Sequence, residues 1–93
     1  MRPLNFGIFA LDDPAAVFFG NARLPMTPMA ARILAKLAAA PAGVPRGELI
    51  GTNGGVAKGE TLRVHICAIR QALPRELAIE YLPEREAYQL ARR

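Results

Sequence analysis

Arg63 and Arg70 stand seven residues apart, a spacing that brings two side chains to the same flank of an α-helix. Arg46 and Lys58 precede them in a stretch where cations dominate. Residues 21–75 hold Arg23, Arg32, Lys36, Arg46, Lys58, Arg63, Arg70 and Arg75 against only Glu48 and Glu60, a net +6. Residues 1–20 carry Arg2 against Asp12 and Asp13. Residues 76–93 carry Arg85, Arg92 and Arg93 against Glu76, Glu80, Glu84 and Glu86, so each end is net −1. A basic middle between mildly acidic ends fits either an element that faces a polyanion or a soluble surface with a modest positive excess.

Other chemistries find little material. One Cys and one His leave no disulfide and no Cys/His zinc site. Cys67 has no second thiol, and its surroundings do not make a catalytic thiolate. His65 borders an apolar stripe, where a partly packed imidazole is the simpler reading. No paired carboxylates, triad partners or metal set are apparent, so neither an enzyme nor a cofactor is expected. The segment Thr52-Asn53-Gly54-Gly55-Val56-Ala57-Lys58-Gly59 reads as a loop whose glycines fit neither GxGxxG nor the P-loop pattern.

The elements that must position these cations follow from the apolar pattern. With 93 residues, 52% of them apolar and 22% charged, the chain reads as one globular domain spanning 1–93. No apolar run approaches the roughly 18 residues of a membrane span, and Met1-Arg2-Pro3 is followed by no signal-peptide stretch, so a cytoplasmic location is expected. Aromatics lie only at the ends, Phe6 to Phe19 and Tyr81 to Tyr88, while the middle is Ala, Leu, Ile, Val and Met. The order strands, helices, strands follows.

Residues 4–25 are expected to form strands. Leu4, Phe6, Ile8 and Ala10 alternate on one face of a 4–11 strand. Asp12-Asp13-Pro14 turns the chain, and Gly20-Asn21 makes a tight hairpin. Thr27 caps a first helix, with Pro28 at its first position and Ile33, Leu34, Leu37 and Ala38 as its stripe. Pro41-Ala42-Gly43 ends it. A short second helix runs from Arg46 to Ile50, closed by Gly51. Residues 60–73 form the clearest helix, because Leu62, Ile66, Ile69 and Leu73 fall within about 60° of each other. Val64, Cys67, Ala68 and Gln71 lie opposite. Residues 78–91 are expected to pair as a hairpin turning at Pro83-Glu84-Arg85-Glu86.

Three segments carry a family resemblance. Met26-Thr27-Pro28-Met29-Ala30-Ala31-Arg32-Ile33-Leu34 resembles L-T-P-x-E-x-x-L-L. Val44-Pro45-Arg46-Gly47-Glu48-Leu49 resembles V-x-S-R-x-x-L. Thr61-Leu62-Arg63-Val64-His65-Ile66-Cys67-Ala68-Ile69-Arg70-Gln71-Ala72-Leu73 resembles T-V-D-V-H-I-x-x-L-R-K-x-L. With Ile79 to Leu90 resembling I-x-T-V-R-G-x-G-Y-x-L, the chain is similar over residues 4–91 to the DNA-binding domain of OmpR/PhoB-type response regulators. It departs at Ala30, Glu60 and Arg63, and its terminal hairpin is acidic and lacks Gly-x-Gly.

The resemblance implies an α+β winged helix-turn-helix with N-terminal antiparallel strands, a three-helix core over 27–73 and a C-terminal wing. It implies a transcription regulator binding duplex DNA through the 60–73 helix in the major groove. Thr61, Val64 and Ala68 match base-facing positions, with Cys67 on the same outer face. Arg46, Lys58, Arg63 and Arg70 are phosphate candidates, and Arg85 sits at the wing tip. Small base-facing residues cannot make bidentate bonds, so binding is expected to be salt-dependent and only modestly selective. A homodimer on DNA belongs to the same family habit. The alternative is a winged-helix module docking on RNA polymerase or another regulator, for which the small outer face and acidic wing are suited.

Overall fold

A computed structural model describes residues 1–52 and 59–93. It is α+β, with two antiparallel sheets and three helices. The first sheet runs β1 (Arg2–Pro3), β2 (Ile8–Asp12), β3 (Ala15–Phe19) and β4 (Ala22–Arg23), in that spatial order. Helix α1 (Pro28–Ala39) follows, then β5 (Val44–Pro45), α2 (Arg46–Thr52), α3 (Gly59–Ala72), β6 (Leu77–Leu82) and β7 (Ala87–Arg92). The last three strands make the second sheet in the order β5-β7-β6.

The N-terminal turns form where the sequence directs them. Asp12 pairs with Ala15 across Asp13-Pro14, and Phe19 pairs with Ala22 across Gly20-Asn21. Gly20 takes φ +61°, the left-handed region that glycine enters without a Cβ penalty. Ile8 and Ala10 face Phe19 and Val17 across the ladder and turn one apolar face inward.

The expected continuous strand over 4–11 is corrected. Asn5–Gly7 forms a 3₁₀ turn, with Phe6 at φ 64° and Gly7 at φ 74°. A polar side chain decides this. Asn5 donates from Nδ2 to the Ala38 carbonyl at 2.9 Å. That carbonyl lies in the last turn of α1, where backbone acceptors lack intrahelical partners. Leu4 and Phe6 still pack against the core, but from a turn rather than from alternate strand positions.

Helix α1 begins as its sequence demands. The Thr27 hydroxyl accepts from the Ala30 amide at 3.2 Å, and Pro28 occupies the first turn. Its buried set is wider than the expected stripe: Ala30 and Ala31 join Ile33, Leu34, Leu37 and Ala38. The chain then reverses through Gly43 at φ 107°, where a Cβ would come within 3.3 Å of the Tyr88 carbonyl. The resulting strand β5 pairs Val44 with Tyr88.

Helix α2 extends to Thr52, past the glycine expected to close it. Helix α3 buries Leu62, Ile66 and Ile69, with Leu73 half-buried just beyond its end. The terminal hairpin pairs Leu77 through Leu82 with Arg92 through Ala87, a residue longer at each end than expected. Its turn is a 3₁₀ segment, Pro83–Arg85, with Glu86 left-handed at φ 46°. One core joins all of this, including Ile8, Val17, Leu34, Leu37, Leu49, Leu62, Ile69, Leu77 and Leu90. Among the described residues, no helix is long and apolar enough to cross a membrane.

Two substitutions measure this account by chemical denaturation. Leu37→Ala opens a cavity in the shared core and is expected to cost about 2–5 kcal/mol. Thr27→Ala removes one cap and is expected to cost about 1 kcal/mol.

Candidate nucleic-acid interface

The outer face of α3 is built by elimination. Leu62, Ile66 and Ile69 are drawn into the core, so the residues between them point away. Arg63, Val64, Cys67, Ala68, Arg70 and Gln71 are all exposed, and Val64 retains 67% of its accessible surface. His65, at the border of the buried stripe, is half-buried. The Cys67 Sγ accepts a weak bond from Gln71 Nε2 at 3.8 Å, one helical turn away. Lys58 and the Thr61 side chain lie outside the described residues, as does the expected loop over 53–58; its end residues, Thr52 and Gly59, belong instead to α2 and α3.

The cations divide into two groups. Arg70 Nη2 donates to the Ile79 carbonyl at 3.2 Å. Strand β6 is at the edge of its sheet, so this guanidinium satisfies an acceptor the ladder leaves over. Arg85 Nη1 donates to the Ala42 carbonyl at 3.3 Å, and Gln89 Nε2 donates to the Pro41 carbonyl at 2.9 Å. Both contacts bind the hairpin to the loop after α1. Arg85, the candidate at the wing tip, is thus held by a backbone oxygen.

Arg46 and Arg63 form the other group. Their guanidinium groups have no ion-pair or hydrogen-bond partner among the described residues. The two line one cleft of about 360 Å³ with Tyr81, Glu86 and Tyr88. Arg46 opens α2 and is half-buried. Its amide donates to the Glu86 carbonyl at 2.8 Å, which fixes the hairpin turn beside the start of that helix. Tyr81 and Tyr88 are direct cross-strand partners, with ring centroids 5.1 Å apart and planes tilted by 56°. Thus the structure brings Arg46 and Arg63 together and turns Arg70 and Arg85 to other tasks.

Tyr81, Tyr88 and Glu86 escaped the reading of the sequence as site residues. A signal for the tyrosines was present: they stand at equal distances from the centre of the Pro83–Glu86 turn, which makes them hairpin partners. The acidic side of the interface is equally concrete, because Glu80, Glu84 and Glu86 are all exposed on the hairpin and Glu48 is exposed on α2. Among the described residues no cluster of His, Cys, Asp and Glu could hold a metal ion.

No family model matches the chain, and no curated protein matches it.

The division of the arginines is testable by stability alone. Arg70→Ala removes a bond to an edge strand and is expected to lower unfolding stability by about 0.5–1.5 kcal/mol. Arg63→Ala, on an exposed side chain without a partner among the described residues, is expected to stay within about 0.5 kcal/mol of the parent. Paired urea titrations of the two variants give the comparison.

Proposed function

We propose that the chain is a winged-helix domain, similar to those of OmpR/PhoB-type regulators, that binds duplex DNA through α3 and acts in transcription regulation in the cytoplasm. The observation that carries this reading is the exposed outer face of α3 set beside a cleft with two arginines lacking partners among the described residues. The element order supports it too: strands, three helices, then a hairpin. A 14-residue helix is about 21 Å long, and the major groove, about 12 Å wide, admits it.

In this reading Arg63 and Arg46 reach phosphates on the flank of the helix, where Lys58 and Arg70 were also expected. Each neutralised phosphate releases counterions and contributes about −0.9 to the salt slope. Thr61, Val64, Cys67 and Ala68 face the bases. The Val64 and Ala68 methyl groups suit thymine methyls, and neither makes a bidentate hydrogen bond, so selectivity is modest. Arg85, held by the Ala42 carbonyl, contributes little beyond its charge. A homodimer on DNA is compatible with this use of α3.

A second reading is favoured by one specific observation. Val64 is two-thirds exposed on the same face whose neighbouring hairpin displays Glu80, Glu84 and Glu86. An exposed apolar residue on a helix face, with an acidic hairpin packed beside that helix, suits a protein partner, such as RNA polymerase or another regulator, better than a polyanion.

Duplex binding measured from about 50 to 200 mM salt separates the two. The DNA reading expects affinity that falls steeply with salt. It also expects Arg63→Ala to weaken binding across unrelated sequences and to reduce the salt slope by about one. Absence of binding at low salt, or an unchanged slope in both Arg46→Ala and Arg63→Ala, overturns it in favour of the protein partner.

A further inference from the structure

We propose that the cleft between α2, α3 and the β6–β7 hairpin is a seat for a nucleoside monophosphate. Five residues line it: Arg46, Arg63, Tyr81, Glu86 and Tyr88. Together they offer more than an attraction for anions, and each restricts what fits.

Arg46 and Arg63 present two guanidinium forks without partners among the described residues, while the adjacent Arg70 and Arg85 are each engaged by a backbone carbonyl. A guanidinium fork matches the oxygens of a phosphate in a bidentate manner. Tyr81 is 42% exposed although its ring packs near Tyr88, so ring surface remains for a planar partner. Every nucleobase has a face that stacks on an aromatic ring. Glu86 is the third restriction. Its carboxylate accepts hydrogen bonds only and repels a second anion. The ligand must therefore be anionic at one end and donate hydrogen bonds at the other. A phosphate joined to an amino-bearing base (adenine, cytosine or guanine) suits it best, because uracil offers only its N3–H, set between two carbonyl oxygens that the carboxylate repels. At about 360 Å³ the cleft lies at the small end of ligand pockets, which run from roughly 300 to 1,000 Å³. One nucleotide is the right scale.

The inference does not depend on duplex binding. A backbone phosphate of paired DNA would engage the arginines but brings no free base to Tyr81 and no donor to Glu86. The same chemistry comes from two sources, a free nucleotide or an unpaired nucleotide in a strand.

The test uses AMP, UMP, inorganic phosphate and a four-residue deoxyadenosine strand, with binding followed by calorimetry and by the tyrosine ring signals in NMR spectra. The chain has two tyrosines and no tryptophan, and both tyrosines line the cleft, so those signals report its occupancy. AMP is expected to shift them and to bind at least threefold tighter than UMP. Arg63→Gln and Arg46→Gln are each expected to weaken AMP about tenfold, and Tyr81→Leu at least threefold. Glu86→Gln is expected to narrow the preference for AMP over UMP, since the glutamine Nε2 can donate to a uracil carbonyl. A strand that binds at least tenfold tighter than AMP assigns the seat to unpaired nucleic acid, and equal affinity assigns it to the free nucleotide. Tyrosine signals unmoved by millimolar AMP overturn the proposal. So does AMP binding that is unaffected by Arg63→Gln, or inorganic phosphate that binds as tightly as AMP.

Discussion

Helix α1 has little side left over for solvent, and the two sheets meet through it. Ala30, Ala31, Ile33, Leu34, Leu37 and Ala38 are all buried. The helix packs against β2 and β3 on the N-terminal side and against α3 and β7 on the other. The two sheets share no strand, so their relative placement depends on this helix. Three of its six buried residues are alanine, which lets neighbouring elements approach closely while Ile33, Leu34 and Leu37 fill the space between them. Without that close approach, α3 would have no floor for Leu62, Ile66 and Ile69, and its outer face would not be defined.

What α3 presents is determined by what the rest of the fold consumes. An edge strand needs its outer acceptors satisfied, and Arg70 supplies one bond. A hairpin needs anchoring at its turn, and Arg85 and Gln89 supply that against Ala42 and Pro41. Arg46 and Arg63 stand at the cleft with no partner among the described residues. Sequence charge alone treats these four arginines as equals, whereas backbone carbonyls sort them. A basic segment is thus a poor guide to a basic surface until the unpaired acceptors nearby are known.

Local chemistry was legible in the chain wherever a few adjacent residues settle the outcome. Gly20-Asn21, the Thr27-Pro28 helix start, and the 62/66/69 stripe needed no tertiary information. The strand expected through Asn5 failed because the decisive partner, the Ala38 carbonyl, lies 33 residues away. Strand β5 was equally hidden, since two residues acquire strand character only by pairing with Tyr88 and Ala87. Helix α2 overran its glycine, which shows a propensity overridden by context. For the site, the exposure of Val64, Cys67, Ala68 and Gln71 was readable from helical spacing. The cleft was not, because it joins the start of α2, the middle of α3 and a hairpin through side chains far apart in sequence.

The bond from the Arg46 amide to the Glu86 carbonyl has a wider meaning than the anchoring of one turn. It fastens the tip region of the hairpin to the base of α2, so the two cannot swing apart without breaking a backbone contact. With the anchors at Ala42 and Pro41, the hairpin is a fixed jaw rather than a flap. Any partner seated between it and α3 meets a gap of set width. Such a gap discriminates by the girth of what enters, and it does so with none of the ordering entropy that a mobile arm would lose on closing.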